Sequence, residues 1–526
     1  MLPIEKLNLG FNDAVNYRRR ENKNDFNQLF IKNNKLEELM LPQNYFLIGD
    51  KGTGKTAYAV WLANNAYENT LSSVNYIRET EYQKFVTLKK EKNLSLSDYT
   101  NIWKVIILLL LSKNIYETEG QESLLNKYIR FRAINKAIDD YYEGAFSPEI
   151  MNAMEFVEHS SASAKLMSEY AVAEGITSNT KTFTEQKYQT NLLYIQRKFE
   201  DALKSLKLDK NHTLFIDGID LRPAGIDYPD YLECVKGLAN AVWSLNNDLF
   251  APIKDSKGRI KVVILLRPDI FNSIGLQNAN NRIRDNSVYL DWRIPYDRFE
   301  SSELFKLPNR LLSLGQYGDK DDNYWEQYFP YTVDVQGKKE HSFISFLRFS
   351  YFRPRDIVTM INLLKELHIE HGRSRNYFIE EDFRDPQFRR RYSEYLLGEA
   401  KDHLSFYYSE KDYEAFLKFF EFLKGDYAFS YAEYKTCFSN YLDFLDRNAI
   451  ARPEFVGNDA EFLQFLYELN IIFCIENAGD GKRYFFWCFR DRSVSNINPR
   501  VKTDCRYEIF YGLGKSLNVG KQFKKT

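Results

Sequence analysis

A glycine-rich octapeptide at residues 49–56, Gly-Asp-Lys-Gly-Thr-Gly-Lys-Thr, fits the pattern GxxxxGK(S/T) at every fixed position. A short apolar stretch, residues 44–48, precedes it, and residues 57–63 follow with a helical pattern that no Gly or Pro interrupts. The order strand, glycine-rich loop and helix points several backbone N–H groups into one concavity at the positive end of the helix. This order predicts an α/β fold with a phosphate-binding loop.

The chemistry of this loop predicts a nucleoside triphosphate as its ligand. Lys55 is expected to reach the β- and γ-phosphates, and Thr56 is expected to ligate Mg²⁺. The residues predicted to contact ATP are Gly49, Asp50, Lys51, Gly52, Thr53, Gly54, Lys55, Thr56 and Ala57. The alternative interpretation is a glycine-rich turn that matches the pattern by chance.

Four further apolar stretches predict buried strands, at residues 74–77, 213–217, 261–266 and 287–290. Because these runs are continuously apolar and alternate with helical patterns, we expect a parallel sheet covered on both faces. Residues 80–208 are far longer than one crossover requires and have mostly helical patterns, which predicts a helical insertion into the core.

Four domains are predicted along the chain. Residues 1–43 form a helical lead-in, residues 44–296 the nucleotide-binding core, and residues 297–450 a helical lid and helical domain. Residues 451–526 change character to a helix at 461–468, a strand at 471–475, a turn at 479–481 and a strand at 484–489. This order is the wing half of a winged helix.

Composition places few limits on the function. The 526 residues correspond to roughly three domains, and the net charge of −1 indicates no class of partner. The longest apolar run, residues 105–111, is far below the roughly 18 residues that span a bilayer, so we expect a buried helix and no membrane. The chain starts without an apolar secretion signal, and its five cysteines form no CxxC pair, which predicts a reducing cytoplasm.

A carboxylate, Asp217, ends the apolar stretch at residues 213–217. A strand end beside a phosphate-binding loop is where a carboxylate holds Mg²⁺, here through water while Thr56 holds the ion directly. Thr56 and Asp217 are therefore the predicted metal ligands. Many ATPases place Glu directly after this Asp, but here the next residue is Gly218.

Four motifs follow one another in the chain: GDKGTGKTA at 49–57, LFIDGIDLRP at 214–223, LLRPDIF at 265–271 and RPRD at 353–356. Together they resemble a family of bacterial P-loop ATPases related to the NACHT/STAND and AAA-type classes. The resemblance implies a RecA/AAA-like core, a helical lid, ATP hydrolysis and a role in anti-phage defence. It also implies a homo-oligomer, with a separate effector protein as a possible partner.

The same resemblance implies roles for further residues. Asp220 becomes the acid that positions the attacking water, although it could instead cap a loop. Arg267 occupies a position that senses the γ-phosphate, with pairing to Asp269 as the structural alternative. Arg355, or alternatively Arg353, occupies the position of a second sensor. The structural alternative is that one of these arginines caps against Asp356 and the other is solvated.

Two basic regions are harder to interpret. Arg282 and Arg284 lie where AAA-type rings offer an arginine finger to a neighbouring subunit. Residues 482–526 contain eleven Lys or Arg against three acids, which suits contact with DNA phosphates. Winged helices in these ATPases also serve as internal packing modules, so both interpretations stay open.

The sequence therefore predicts a Mg²⁺-dependent ATPase that acts as a nucleotide-driven switch or motor. Two alternatives remain. One is a DNA-binding, initiator-like ATPase, and the other is a scaffold that binds ATP without hydrolysing it.

Overall fold

The computed structural model describes most of the chain, in segments: residues 1–77, 96–118, 193, 196–219, 222, 225–275, 285–316, 323–335, 337–477, 482–493, 496 and 498–520. The chain forms two compact units. The sheet unit comprises Lys32–Asp50 and Lys55–Leu290, and the helical unit comprises Met1–Ile31, Lys51–Gly54 and Asp291–Thr526.

Residues 1–43, predicted as a helical lead-in, contain short 3₁₀ turns and helices. Three short 3₁₀ turns are followed by helices, with bounds Ile4–Lys6, Ala14–Arg18, Arg20–Asn22, α1 (Lys23–Leu29) and α2 (Asn34–Met40). The apolar residues at helical spacing, including Phe26, Leu29, Leu36 and Leu39, are buried. Helix α2 begins where the Asn33 side chain accepts a hydrogen bond from Leu36 N, an N-cap that satisfies a free backbone donor.

The sheet unit is built on five parallel strands, and all five predicted strands are present. They are β1 (Phe46–Ile48), β2 (Thr70–Tyr76), β3 (Asn211–Asp217), β4 (Ile260–Leu266) and β5 (Ser287–Tyr289), in the order β2-β3-β4-β1-β5. The interior strand β4 is buried at every residue, as expected for a strand covered on both faces.

The strand order determines where the loop after β1 lies. Strand β4 lies between β1 and β3, with Ile48 opposite Leu266 and Ile216 opposite Ile264. Since all five strands are parallel, their carboxyl ends meet at one edge of the sheet. The loop after β1 and the Asp217 carboxylate therefore lie at the same edge.

Five helical segments with defined bounds follow β1 in the described part of the sheet unit. They are α3 (Lys55–Asn64), α4 (Leu96–Thr118), α5 (Tyr228–Ser244), a π-helical turn (Leu245–Phe250) and α6 (Pro268–Ser273). Residues 196–205 are also helical. Helix α4 and residues 196–205 belong to the predicted insertion at 80–208; residues 80–95, 119–192 and 194–195 of that prediction lie outside the described residues.

The apolar run at residues 105–111 lies in α4, as expected. All of its residues are buried except Leu110, which is half-buried. Across the described part of the chain, no helix combines the length and the apolar character that a membrane span requires.

A buried amide extends the sheet where a strand is missing. Strand β1 begins opposite Ile264, so Val262 of β4 has no strand partner on that side. The Asn246 side chain accepts from Val262 N at 3.0 Å and donates to Val262 O at 2.9 Å. The π-helical turn presents Asn246 at this position, so a side chain satisfies backbone groups that would otherwise be buried without partners.

The described residues of the helical unit form ten further helices. They are α7 (Glu303–Ser313), α8 (Tyr324–Tyr328), α9 (Ser342–Phe349), α10 (Pro354–Glu370), α11 (Glu380–Arg384), α12 (Pro386–Tyr407), α13 (Glu410–Phe419), α14 (Tyr431–Arg447), α15 (Asp459–Glu468) and α16 (Cys488–Asp491). Two 3₁₀ turns, Tyr296–Ser301 and Phe420–Leu423, join them. One continuous core, rich in Phe and Tyr, runs from Ile4 to Val519.

The part of this unit that the structure describes also contains six short strands. A hairpin pairs β6 (Thr332–Val335) with β7 (Lys338–His341), and a four-stranded antiparallel sheet has the order β10-β9-β11-β8. Its strands are β8 (Ala428–Ser430), β9 (Ile472–Asn477), β10 (Arg483–Phe486) and β11 (Arg506–Ile509).

The C-terminal helix and strands lie close to their predicted positions. Helix α15 precedes β9 and β10, and the predicted turn at 479–481 lies outside the described residues. Strands β8 and β11 were not predicted. Because β8 lies before residue 450 and pairs with β11, this sheet draws on both sides of the boundary predicted at 450–451.

Candidate functional site

The glycine-rich loop joins β1 to α3, and its ends are held within the sheet unit. Gly49 N donates to Leu266 O of β4 at 3.2 Å. Lys55 opens α3 and is only 6% exposed. Its Nζ donates to the carbonyls of Gly49, at 2.8 Å, and Asp50, at 3.3 Å. The loop thus curls around the lysine ammonium.

The other predicted loop residues follow the same turn. Gly52 and Gly54 have φ values of +86° and +95°, in the region that favours glycine. Thr53 is buried, and its carbonyl accepts a hydrogen bond from Trp292 Nε1 at 2.9 Å. Ala57 is half-buried in the first turn of α3.

The two predicted metal ligands lie in contact. Thr56 Oγ1 donates to Asp217 Oδ2 at 2.7 Å, although 161 residues separate them in the chain. Asp217 is 8% exposed, and its Oδ1 accepts from Gly218 N at 2.8 Å. A hydroxyl and a carboxylate oxygen are ligand types that Mg²⁺ prefers. The donor set therefore fits this ion.

Backbone geometry explains why no acid directly follows Asp217. Gly218 has a φ of +92°, and a Cβ built on it would lie 2.4 Å from Ile77 O. Neither the conformation nor the space admits a glutamate here. The predicted water-positioning acid, Asp220, lies outside the described residues.

Arg267 follows β4 and is 4% exposed. Its guanidinium forms a two-point ion pair with Asp269, with Nε donating to Oδ1 at 3.0 Å and Nη2 to Oδ2. This pair is the structural alternative to the predicted γ-phosphate sensor. A sensing role would require Arg267 to exchange at least part of this pairing for a phosphate.

Within the helical unit, the loop tip Lys51–Gly54 contacts the start of α10 and one face of α12. Lys51 Nζ pairs with Glu399, at 3.3 Å, and with Asp402. Arg353 Nη1 donates to Lys51 O at 3.0 Å and to Glu399 Oε2 at 3.2 Å. Glu399 and Asp402 of α12 and the side chain of Arg353 therefore fix the tip together.

Arg353 is built into the fold. Its guanidinium is hydrogen-bonded to Asp356, which is fully buried, with Nη2–Oδ1 at 2.6 Å. Tyr395 Oη also donates to Asp356 Oδ1, at 2.9 Å. Burial alone would lower the pKa of Arg353, but the charges of Asp356 and Glu399 outweigh it and raise that pKa. Arg353 thus positions the loop as a permanent cation.

Arg355 is the more available of the two predicted second sensors. Its backbone N donates to Gly52 O at 3.4 Å, which places it directly against the loop tip. Its side chain is 27% exposed, against 10% for Arg353, and its only ion pair among the described residues is to Glu399 at 3.7 Å. This accessibility favours Arg355 for a contact with a bound ligand.

Three residues of the site carried no sequence signal: Trp292, Glu399 and Asp402. Glu399 is the hub, because Lys51, Arg353 and Arg355 all pair with it. Burial alone would raise the pKa of Glu399, but these three cations outweigh it and lower that pKa. Its helix, α12, belongs to no recognisable motif.

The two basic regions singled out in the sequence are Arg282 with Arg284 and the C-terminal segment 482–526, and the structure describes only part of them. Arg282 and Arg284 lie outside the described residues, as do Lys521, Lys524 and Lys525. Arg490 packs inside the helical unit, with its guanidinium 4.1 Å from the Trp487 ring centroid and hydrogen-bonded to Tyr296 Oη.

Two further basic side chains of the C-terminal segment also have internal partners. Arg492 donates to Glu468 O at 3.2 Å. Lys502 pairs with Glu476 and lies 3.9 Å from the Phe486 ring centroid. These contacts suit the packing interpretation, and DNA binding by this segment stays a prediction.

Comparisons with protein-family models, with curated proteins and with solved structures found no match to this chain. The function of the protein is therefore inferred from its motifs and from the geometry that surrounds them.

Replacing Gly218 by Ala should destabilise the protein more than replacing Gly225 by Ala. Both glycines have positive φ, +92° and +86°, but no described atom lies within 4 Å of a Cβ at Gly225. The backbone clash with Ile77 should add about 1–3 kcal/mol at Gly218. Urea unfolding of the two variants measures this difference, and equal losses would contradict the proposed constraint.

Replacing Glu399 by Gln should lower the free energy of unfolding by about 2 kcal/mol at neutral pH, because three cations lose a buried counter-charge. Since folding lowers the pKa of Glu399, its contribution exists above the unfolded value of about 4.3 and disappears as pH falls through the folded value. The difference between wild type and variant should therefore stay constant from neutral pH down to about pH 4.3 and shrink only below it.

The matched control is Glu410→Gln, which removes an exposed partner of Lys401 at the start of α13. Exposed pairs contribute little, so its unfolding midpoint should stay near that of wild type at every pH. A Glu399→Gln effect that is equally small, or independent of pH, would contradict the role of Glu399 as the hub.

Proposed function

We propose that this protein binds ATP with Mg²⁺ at the glycine-rich loop and hydrolyses it. The observation that carries the proposal is the 2.7 Å hydrogen bond from Thr56 Oγ1 to Asp217 Oδ2, next to the buried Lys55. A cation for phosphates and two oxygen ligands for Mg²⁺ meet at one edge of a parallel sheet. Few other chemistries use this combination.

The strand order supports a RecA/AAA-like core for this proposal. In that class an additional strand lies between the strand that leads into the phosphate loop and the strand that ends in the Mg²⁺ carboxylate. Strand β4 has this position between β1 and β3. The elements α15, β9 and β10 likewise support a winged helix in the C-terminal segment.

Each residue has a distinct task in the proposed site. Lys55 would neutralise the β- and γ-phosphates, while the backbone N–H groups of the loop would donate to the phosphate oxygens. Thr56 would ligate Mg²⁺ directly, and Asp217 would hold it through water. The bound ion supplies charge neutralisation for the phosphates.

Hydrolysis also requires an acid that orients the attacking water, and Asp220 is our candidate. The position after Asp217 is closed to any side chain, because a Cβ on Gly218 would meet Ile77 O. The acid must therefore come from another position. Asp220 is the next carboxylate in the chain.

We assign the sensing role to Arg355 in preference to Arg267. Arg267 already has a carboxylate partner in Asp269, whereas Arg355 is partly exposed and has one long ion pair. Binding of ATP next to Gly52 would bear directly on Arg355 and on the tip contacts of Arg353 and Glu399. Such a response suits a nucleotide-driven switch or motor.

The wider biology is proposed from the order of the four motifs. A homo-oligomer, a separate effector and a role in anti-phage defence follow from their resemblance to NACHT/STAND and AAA-type ATPases. Isolated protein that hydrolyses ATP would distinguish this proposal from a scaffold that only binds it.

Lys55→Ala should weaken ATP binding by about 10- to 100-fold, because the phosphates lose a charge-assisted hydrogen bond. Asp217→Ala should weaken it only when Mg²⁺ is present. Calorimetric titration of ATP, with Mg²⁺ and then with EDTA, separates the two effects.

The control for this titration is Lys254→Ala, which removes an exposed lysine of the sheet unit. Its affinity for ATP should equal that of wild type. Equal affinities for wild type and Lys55→Ala would exclude the loop as the ATP site. An Asp217→Ala chain that keeps the full Mg²⁺ dependence would exclude Asp217 as a metal ligand.

Asp220→Asn should leave ATP binding nearly intact and slow hydrolysis by about 100-fold or more, as expected for loss of a group that positions or deprotonates water. Phosphate release at saturating ATP measures the rate, and calorimetry measures the affinity. Turnover at the wild-type rate would assign water activation to another residue. No turnover in the wild-type chain itself would favour the scaffold.

A further inference from the structure

A cavity whose lining residues are remote in sequence from the glycine-rich loop lies wholly within the helical unit. We call it the Arg389 cavity. It has a volume of about 640 Å³, which is in the range of small-molecule sites. The end of α9, the helix α12 and the segment from Ile509 to Gly520 line it.

The charged side chains that line this cavity are all positive. Three cations line it, Arg348, Arg389 and Lys515, and none of its described lining residues is acidic. Arg348 is neutralised by Glu340, with Nη2 donating to Oε1 at 2.9 Å. No carboxylate of the described residues lies within 4 Å of the charged nitrogens of Arg389 or Lys515. The cavity therefore presents uncompensated positive charge.

Arg389 is held in place without a counter-ion. Its guanidinium carbon lies 3.8 Å from the Phe349 ring centroid and 4.7 Å from that of Phe383. Its Nε donates to Phe383 O at 2.7 Å. Burial lowers the pKa of Arg389 to about 10, as expected where no carboxylate balances the charge. Two rings and one carbonyl thus fix the guanidinium, and no hydrogen-bond partner for its Nη groups lies among the described residues.

Aromatic rings line the same cavity. Phe349 and Tyr427 are half-buried, and Tyr511 is 39% exposed, with its ring centroid 6.3 Å from that of Phe349. Three glycines, Gly512, Gly514 and Gly520, contribute backbone without side chains. A planar group can therefore approach both rings and backbone next to the cations.

We propose that the Arg389 cavity binds a nucleoside monophosphate, at a site separate from the glycine-rich loop. Arg389 and Lys515 would hold the phosphate, since a guanidinium fixed by stacking is preorganised for two-point contact with an anion. The base would stack on Tyr511 and Phe349. A phosphate joined to a planar ring matches both the charge and the aromatic lining.

The competing explanation is that Arg389 only packs against Phe349 and Phe383. Packing alone would not explain why the cavity that it lines also presents Lys515 and no acid. The two explanations differ in a measurable way. A packing role concerns stability, and a binding role concerns affinity for a phosphate-bearing ligand.

The test is calorimetric titration of AMP, GMP, CMP and UMP into the full-length Lys55→Ala chain, in which the glycine-rich loop is disabled. At least one of them should bind, and inorganic phosphate should compete. Arg389→Met and Lys515→Met should each lower the affinity about 10- to 100-fold. Arg390→Met, which removes the neighbouring exposed arginine, should leave it unchanged.

Lys515 is exposed, so its variant should fold even if Arg389→Met does not. Thermal melting of each variant checks this point. Absence of binding by all four nucleotides would overturn the proposal. The proposal would also be overturned if Lys515→Met bound the nucleotide with an affinity within twofold of that of the Lys55→Ala chain. The same holds for Arg389→Met, provided that this variant folds.

Discussion

The hydrogen bond between Thr56 and Asp217 is the contact on which the proposed chemistry depends. It joins the first turn of α3 to the end of β3, and it forms only because β4 separates β1 from β3 by one strand. A parallel sheet places both chain segments at one edge, but the strand order determines how far apart they lie along that edge. With this bond in place, a hydroxyl and a carboxylate already face each other where Mg²⁺ would need them.

The loop tip depends on a different kind of interaction, a cluster of buried charges. Arg353, Asp356 and Glu399 are costly to bury, and their mutual attraction compensates only because each also has hydrogen-bond partners. Glu399 pairs with three cations, two of which, Lys51 and Arg355, lie at or against the loop tip. A ligand that redistributes charge at the tip must therefore act on this cluster. The arrangement makes α10 and α12 the elements that would respond first.

Local sequence determines a large part of this structure, and long-range pairing determines the rest. The interior strands β1 and β4 were predictable because they are apolar runs, and the loop was predictable because its glycines and Lys55 form a compact motif. Strand order, the pairing of β8 with β11 and the Glu399 hub depend on contacts between distant residues, which no local pattern encodes. Arg490 is a further example of a contact that the sequence did not predict. In the sequence it is one of many basic residues of the C-terminal segment, but in the structure its guanidinium packs against the rings of Trp487 and Tyr296.

Two arginines of the helical unit differ in their surroundings, and this difference separates a structural role from a role in ligand binding. Arg353 forms an ion pair with the buried carboxylate of Asp356, which neutralises its charge. Arg389 is half-buried, and rings and a carbonyl hold it while no described carboxylate neutralises it. Desolvating a cation without a counter-charge is unfavourable, so such a residue lowers the stability of the unliganded chain. An anion that enters the cavity would reverse that cost, which links ligand binding at Arg389 to stabilisation of the helices that surround it.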